Sequence, residues 1–396
     1  MLRDPQAVRA ALDALSRDHL LRARRCVDGF DGDEAGAAPV VDGLARVNFC
    51  SNDYLGLARD PRVAAALIDA AKRWGAGAGA AHLVTGHTQA HHALEAALAD
   101  FTGRESALLF STGYMANLGV LQAFAGRGET VLQDRLNHAS LIDGAQLAGA
   151  KLARYAHADV ADAAHRLATA EAPVSVLATD GVFSMDGAVA PVSELAALAK
   201  RHGAWCMVDD AHGLGVLGAQ GGGVAEAAGL GADDIPLLVG TLGKAFGSFG
   251  AFVAGDRDVI QFLLQRARTA IYTTAIPAAV AAATHAALRL LREEGWRREQ
   301  LAARIARFRA GCAAQGIALT TSTTPIQPIV LGDATSALAA SQALWDAGWW
   351  VSAIRPPTVP RGTARLRVTL SATHTDAQVD GLVDALAQAL PDMAQA

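Results

Sequence analysis

Leu, Val and Ala alternate with Arg and Asp at helical spacing over residues 1–25, which end in LLRARR, and this pattern predicts an amphipathic N-terminal helix. A polar loop, DGFDGDEAGAAP, follows. A short apolar segment then leads into NFCSNDYLGLARDPRV, an irregular stretch whose Pro61 suits the start of a helix. From there to residue 255 one pattern repeats: a β-rich run, a Gly or polar turn, a helical segment. The runs are ALLFS at 107–111, TVLQD at 130–134, PVSVLATD at 173–180, AWCMVDD at 204–210, PLLVGT at 236–241 and AFVAG at 251–255. They are apolar nearly throughout rather than alternating, as in strands covered on both faces. Strands interleaved with helices predict an α/β layered domain with a mostly parallel sheet. In such sheets ligands sit beyond the carboxyl ends of the strands.

After residue 285 the pattern changes to a long Arg-rich helical region, then TPIQPIVLGD, a helix at 335–347, WWVSAI and ARLRVTLSATHT. This predicts a smaller α+β domain. The expected division is an N-terminal helix and segment (1–50), a large α/β domain (51–285) and a small C-terminal α+β domain (286–396). Hydrophobic residues at 52% and charged residues at 18% exclude intrinsic disorder. A formal net charge of −5 gives no basic footprint for nucleic acid or an anionic membrane. The uncharged stretches between Glu105 and Arg127 and between Arg268 and Arg289 carry too many polar residues to span a bilayer. The N-terminus has no apolar core of a signal peptide. Cys26, Cys50, Cys206 and Cys312 are far apart and form no CxxC, which favours a reducing cytoplasm over a disulfide framework or a zinc ribbon.

Candidate chemistry starts with lysine, of which the chain has Lys72, Lys151, Lys200 and Lys244 alone. The first three sit among neighbours typical of helix ends and read as solvated surface residues. Lys244 lies in VGTLGKAFGSFGAF, just after an apolar strand. Desolvation there favours a neutral, nucleophilic amine able to form a Schiff base with an aldehyde. The alternative of a phosphate-contacting lysine lacks the GxxxxGK[ST] spacing. One strand earlier, Asp209 and Asp210 precede His212. Neighbouring strand residues face opposite ways, so the two acids do not converge on a metal ion. A carboxylate facing a protonated heterocyclic nitrogen, as in pyridoxal phosphate (PLP), fits better. In FSTGYMANLGVL, Gly113 and Tyr114 open a helix whose free N–H groups suit a phosphate. His138 in DRLNHASLIDG and Ser184 in TDGVFSMDG follow strands and are further candidates. A metal site on His82, His87, His91 and His92 lacks the glutamate of HExxH, and no metal is expected.

Taken together, SNDYLGL (51–57), STGYMANLG (111–119), NHASLIDG (137–144), TDGVFSMDG (179–187), VDDAHGLGVLG (208–218) and TLGKAFG (241–247) resemble the α-oxoamine synthases, a branch of the fold type I PLP enzymes. The resemblance runs from about residue 8 to residue 390. It implies a three-layer α/β/α large domain and a PLP-dependent acyltransferase. Lys244 would carry the cofactor, Asp209 would pair with the pyridinium nitrogen, and His212 and Ser184 would bond the ring oxygen. His138 would stack on the ring. Gly113, Tyr114 and Thr241 would place the cofactor and its phosphate. Arg22 and Thr358 match substrate positions, and Asn52 and Arg367 match residues for the amino-acid carboxylate, with Arg365 an alternative to Arg367. The segment AIRPPTVPRGTARLRVTLSA (353–372) is similar to members of the branch that condense L-alanine with a pimeloyl thioester, carried by CoA or by acyl carrier protein. The resemblance also implies a homodimer. A sister activity using glycine or serine is the alternative reaction, and a non-catalytic PLP-binding regulator is the alternative class. The segment at 75–95 keeps the Gly-rich character of the family but places His82 in it, and the Gly-rich loop at 213–223 has no assigned role.

Overall fold

The six apolar runs all become strands of a seven-stranded sheet in the computed structural model, which describes residues 4–30 and 37–390. Residues 31–36, within the polar loop, lie outside the described residues. The strands are β1 (Ser106–Phe110), β2 (Thr130–Asp134), β3 (Lys151–Tyr155), β4 (Val174–Asp180), β5 (Trp205–Asp209), β6 (Leu237–Thr241) and β7 (Ala251–Gly255). Their order across the sheet is β1-β7-β6-β5-β4-β2-β3. All neighbours run parallel except around β7, which is antiparallel to both β1 and β6. Every residue of β2 and of β7 is buried, so helices cover both faces of the sheet as the unbroken apolar runs require. On one face Ala116, Val120 and Leu121 of the helix Gly113–Phe124 join Val176, Met207, Val239 and Val253 in one core.

β3 has no counterpart among the apolar runs. Its sequence, KLARY, carries Lys151 and Arg154 because it is an edge strand whose exposed positions face water. The N-terminal helix is also shorter than its pattern predicts. It spans Pro5–Arg17, and His19 then adopts a left-handed φ of 56°. The N–H groups of Leu20 and Leu21 turn back to Leu15 O, which ends the helix. Arg22 therefore lies beyond it.

The chain packs as two units. The larger comprises 52–184 and 188–299 and contains the whole seven-stranded sheet. The smaller comprises 1–51, 185–187 and 300–396. Its centre is an antiparallel sheet of β8 (Ile326–Gly332), β9 (Ser352–Ile354) and β10 (Ala364–Thr369), with β10 in the middle. Trp349–Trp350 pairs in parallel with Val47–Asn48, which ties the N-terminal segment to this unit. Among the described residues no helix is long and apolar enough to cross a membrane.

One ionic knot fixes the loop that carries SNDYLGL. Arg297, 7% exposed, donates through Nη1 to Leu55 O (2.7 Å), through Nη2 to Asp60 Oδ2 (2.9 Å) and through Nε to Glu294 Oε2 (2.8 Å). Arg62 reaches the same two carboxylates from the solvent side. The arginine–Asp60 hydrogen bonds hold the Asp60 carboxyl below its usual range. Arg297→Met should cost about 1–3 kcal/mol, because it leaves the buried Leu55 O without its donor while Arg62 still pairs with Asp60 and Glu294. Thermal unfolding measures this, and an unchanged Tm would contradict it.

Candidate active site

β4, β5 and β6 all end at one cavity of about 160 Å³ in the larger unit. It is lined by Gly113, Tyr114, His138, Ser184, Asp209, His212, Thr241 and Lys244, all singled out in the sequence. Lys244 follows β6 in the turn where Gly247 N donates to Lys244 O. The other three lysines stand in exposed ion pairs, Lys72 with Asp69, Lys151 with Glu171 and Lys200 with Asp234. Lys244 is the lysine whose side chain lines the cavity.

Asp209 closes β5 and is held from two sides. Asn117 Nδ2 donates to its Oδ2 (2.6 Å) and Ala211 N to its Oδ1 (3.1 Å). Asn117 also donates to Ser140 Oγ (2.8 Å), and that hydroxyl lies 2.7 Å from His138 Nδ1. With Ser140 Oγ–H donating, His138 Nδ1 is the acceptor and Nε2 carries the proton. Burial holds His138 below the ordinary imidazole range, consistent with a neutral ring. Its Nδ1 also caps the helix Ala139–Ala148. Tyr114 bonds Asp143 and meets His138 edge to face, with ring centroids 6.4 Å apart. His212 Nδ1 is 2.6 Å from Tyr54 Oη, which in turn is 3.3 Å from Asn52 Oδ1. Asn52 is thereby linked through one buried tyrosine to a cavity residue.

Asp210 points the other way, as strand alternation requires. Its Oδ2 accepts from Val224 N (2.7 Å), and a Cβ on Gly213 or Gly223 would stand 2.1 or 1.8 Å from its carboxylate. The Gly-rich run at 213–223 thus closes around a buried acid, and glycine is needed where backbone and carboxylate touch. Burial, the largest influence, pushes Asp210 well above the ordinary carboxylate range.

In the smaller unit, Arg22 Nη2 donates to Thr358 Oγ1 (3.4 Å), so two residues expected to serve the acyl substrate meet. Arg355 donates to His19 O and Leu21 O and fixes the segment that carries Arg22. Arg365 donates to Thr363 O (3.0 Å) and Met185 O (3.2 Å), whereas Arg367 Nη1 donates to Thr369 Oγ1 (3.0 Å). Sequence reading did not single out Asn117, Ser140, Tyr54 or Asp180. The signal for Asn117 is an amide one helical turn after Gly113 in a mostly apolar helix, whose other amide, Gln122, lies near its far end.

Other concavities carry less chemistry. One, of about 610 Å³, is a groove along Phe124, Trp205 and Phe262. The nitrogens of His82, His87 and His91 lie within 4.8 Å of one another. Both nitrogens of His91 are committed, Nδ1 to Thr88 N (3.0 Å) and Nε2 to Ile276 O (2.7 Å).

An amine, a fixed carboxylate and the open N-terminus of a helix around one cavity match an aldehyde, a pyridine nitrogen and a phosphate. A Cβ on Gly113 would meet nothing within 4 Å, so the phosphate end has room. Comparison with known proteins agrees. Residues 46–386 match the aminotransferase class I and II family. The fold superposes on a serine palmitoyltransferase from S. paucimobilis, solved with a bound PLP–myriocin aldimine, with a TM-score of 0.92, 32% identity and 98% of each chain covered. An 8-amino-7-oxononanoate synthase structure from Francisella tularensis gives a TM-score of 0.76 at 29% identity, covering 87% of this chain and 97% of that one. The 8-amino-7-oxononanoate synthase of Alkalilimnicola ehrlichii is 62% identical over 379 residues, 96% of both chains. That of Methylococcus capsulatus is 61% identical over 90% of this chain and 92% of its own. The chain belongs to the aminotransferase class I and II family of fold type I transferases and, within it, to the 8-amino-7-oxononanoate synthases.

Asp209→Asn should reduce turnover about 10²–10³-fold, since the amide keeps the size but cannot stabilise a cation at the cavity. Asp210→Asn should retain activity within about threefold, because an amide replaces an acid already favoured in its neutral form. Steady-state kinetics of the two variants check this, and equal losses would contradict it.

Proposed function

We propose that the chain is a PLP-dependent acyltransferase that condenses L-alanine with a pimeloyl thioester, releasing CO₂ and the free carrier and giving 8-amino-7-oxononanoate for biotin biosynthesis. The observation that carries this reading is the pairing, in one cavity, of Lys244 with the doubly held carboxylate of Asp209. Bound PLP would supply an electron sink for the α-carbon of the amino acid. Lys244 would hold the cofactor aldehyde and, once displaced by alanine, take up and return the α-proton at Nζ. Asp209 would keep the pyridine nitrogen protonated. Ser184 and His212 would bond the ring oxygen, His138 would cover the ring face, and Gly113, Tyr114 and Thr241 would seat the phosphate. Asn52 and Arg367 would orient the alanine carboxylate, and Arg22 and Thr358 would bind the acyl donor. Identity favours the alanine–pimeloyl reaction over the chemistry of the serine palmitoyltransferase neighbour, at 62% against 32%.

The reading includes a homodimer in the cytoplasm. Four free thiols suit a reducing compartment. Leu83, Val84, Phe249 and Tyr272 are 49–74% exposed, an apolar set that a second copy would cover. Sedimentation should give twice the 40.8 kDa chain mass, and an active monomer at micromolar concentration would contradict the dimer.

Competition assays with mixed amino acids and mixed thioesters test the reaction. A pocket sized for one methyl group discriminates by only ~1–3 kcal/mol, so alanine should outcompete glycine and serine by about 10–200-fold. The pimeloyl thioester should be preferred more strongly over acetyl-CoA, because its distal carboxylate can meet a cation. Faster condensation of glycine with acetyl-CoA would overturn the assignment in favour of a sister activity.

A further inference from the structure

Asp180 ends β4 directly beside the acid at the end of β5, and the two are register partners across the parallel pair. Register partners project to the same side of a sheet, and both residues line the same cavity. They are 4% and 7% exposed. Two carboxylates so placed do not both ionise without a large electrostatic penalty.

Their hydrogen bonds divide the roles. Both oxygens of Asp209 accept from N–H donors, as an anion requires. Asp180 has one such bond, from His138 N to Oδ2 (3.1 Å). Its Oδ1 is enclosed and has no hydrogen-bond partner among the described residues. A bare buried anionic oxygen is costly, whereas a hydroxyl at Oδ1 needs only an acceptor in the cavity.

The groups around Asp180 are few. Asp134 and His138 belong to β2 and the turn after it. Asp209 and His212 come from β5 and its following turn, Lys244 follows β6, and Tyr155 ends β3. Burial first and the Asp209 charge second push Asp180 well above the ordinary carboxylate range, against the opposing influence of His138 N–H and Lys244.

We propose that Asp180 is a neutral carboxylic acid at working pH and donates its Oδ1 hydroxyl to an oxygen of the ligand bound in this cavity, leaving the negative charge of the strand ends on Asp209. The identity of that ligand rests on the PLP reading above. The donor is on the same turn as Ser184, four residues on, so the ring oxygen is the acceptor it would serve. Asp180 would thus act on the cofactor directly and, through His138 N, set the position of the residue over the ring.

Two measurements test this. The first is infrared difference spectroscopy of the apoprotein at neutral pH, wild type minus D180N. A protonated-carboxyl stretch present in wild type and lost in D180N is expected, and its absence would overturn the proposal whatever the cofactor. The second uses added PLP and the near-visible absorption band of its adduct with lysine. D180N, which keeps a neutral donor, should hold the pH midpoint of that band within about 0.3 units of wild type. A fall of about one unit or more would mean that an anion had been removed, and would overturn neutrality. D180A should weaken PLP binding about tenfold or more, as expected for loss of a hydrogen bond to a charged acceptor. PLP binding by D180A as tight as wild type would overturn the donor role. If wild type formed no band, the functional reading and the donor role would both fall, while the infrared difference would still decide the protonation of Asp180.

Discussion

A single carboxylate fixed at the end of a parallel strand organises this protein. Asp209 is removed from water and receives an N–H on each oxygen, from Asn117 and Ala211. An ionised group in such a place is tolerable only because those donors are rigid, and it is useful only if a cation comes to face it. Several features of the larger unit serve this condition. Asn117 stands on the helix that β1 feeds, so the helix offering its N-terminus to a phosphate also steadies the acid. The same amide continues through Ser140 to His138. Acid, ring-covering imidazole and anion site are therefore one hydrogen-bonded assembly, and a ligand that meets all three is held in one orientation.

The same condition explains what lies behind the strand end. Asp210 follows immediately and must bury a second acid on the opposite face. The chain meets this by wrapping the 213–223 loop around it, with glycines where a side chain would strike the carboxylate. Burial that pushes Asp210 well above the ordinary carboxylate range, and the crowding of Asp180 beside Asp209, leave Asp209, with an N–H on each oxygen, as the residue built to bear charge. The loop is thus a structural consequence of the DD pair, and its glycines need no direct part in the chemistry.

Much of this was legible in the sequence because it is written locally. The apolar runs marked six of the seven strands, since a strand buried on both faces cannot afford polar positions. Lys244 and the two acids stood out because charge directly after such runs needs a reason. β3 was missed because edge position allows Lys151 and Arg154, which erases the apolar signature. The N-terminal helix was overextended because periodicity continues past Arg17, while the left-handed turn at His19 that ends it has no glycine to announce it. Asn117, Ser140, Tyr54 and Asp180 were missed for another reason. Each acts through a partner distant in sequence, such as Asp209 for Asn117 or His212 for Tyr54, and one sequence carries no record of that pairing.

The account depends most on Lys244 being the residue that binds an aldehyde in this cavity. Reduction of the protein with borohydride after incubation with PLP, followed by peptide mapping, reads this directly. The account predicts a single reduced pyridoxyl adduct, on the peptide containing Lys244. An adduct on Lys72, Lys151 or Lys200 in its place, or none on any lysine, would contradict it.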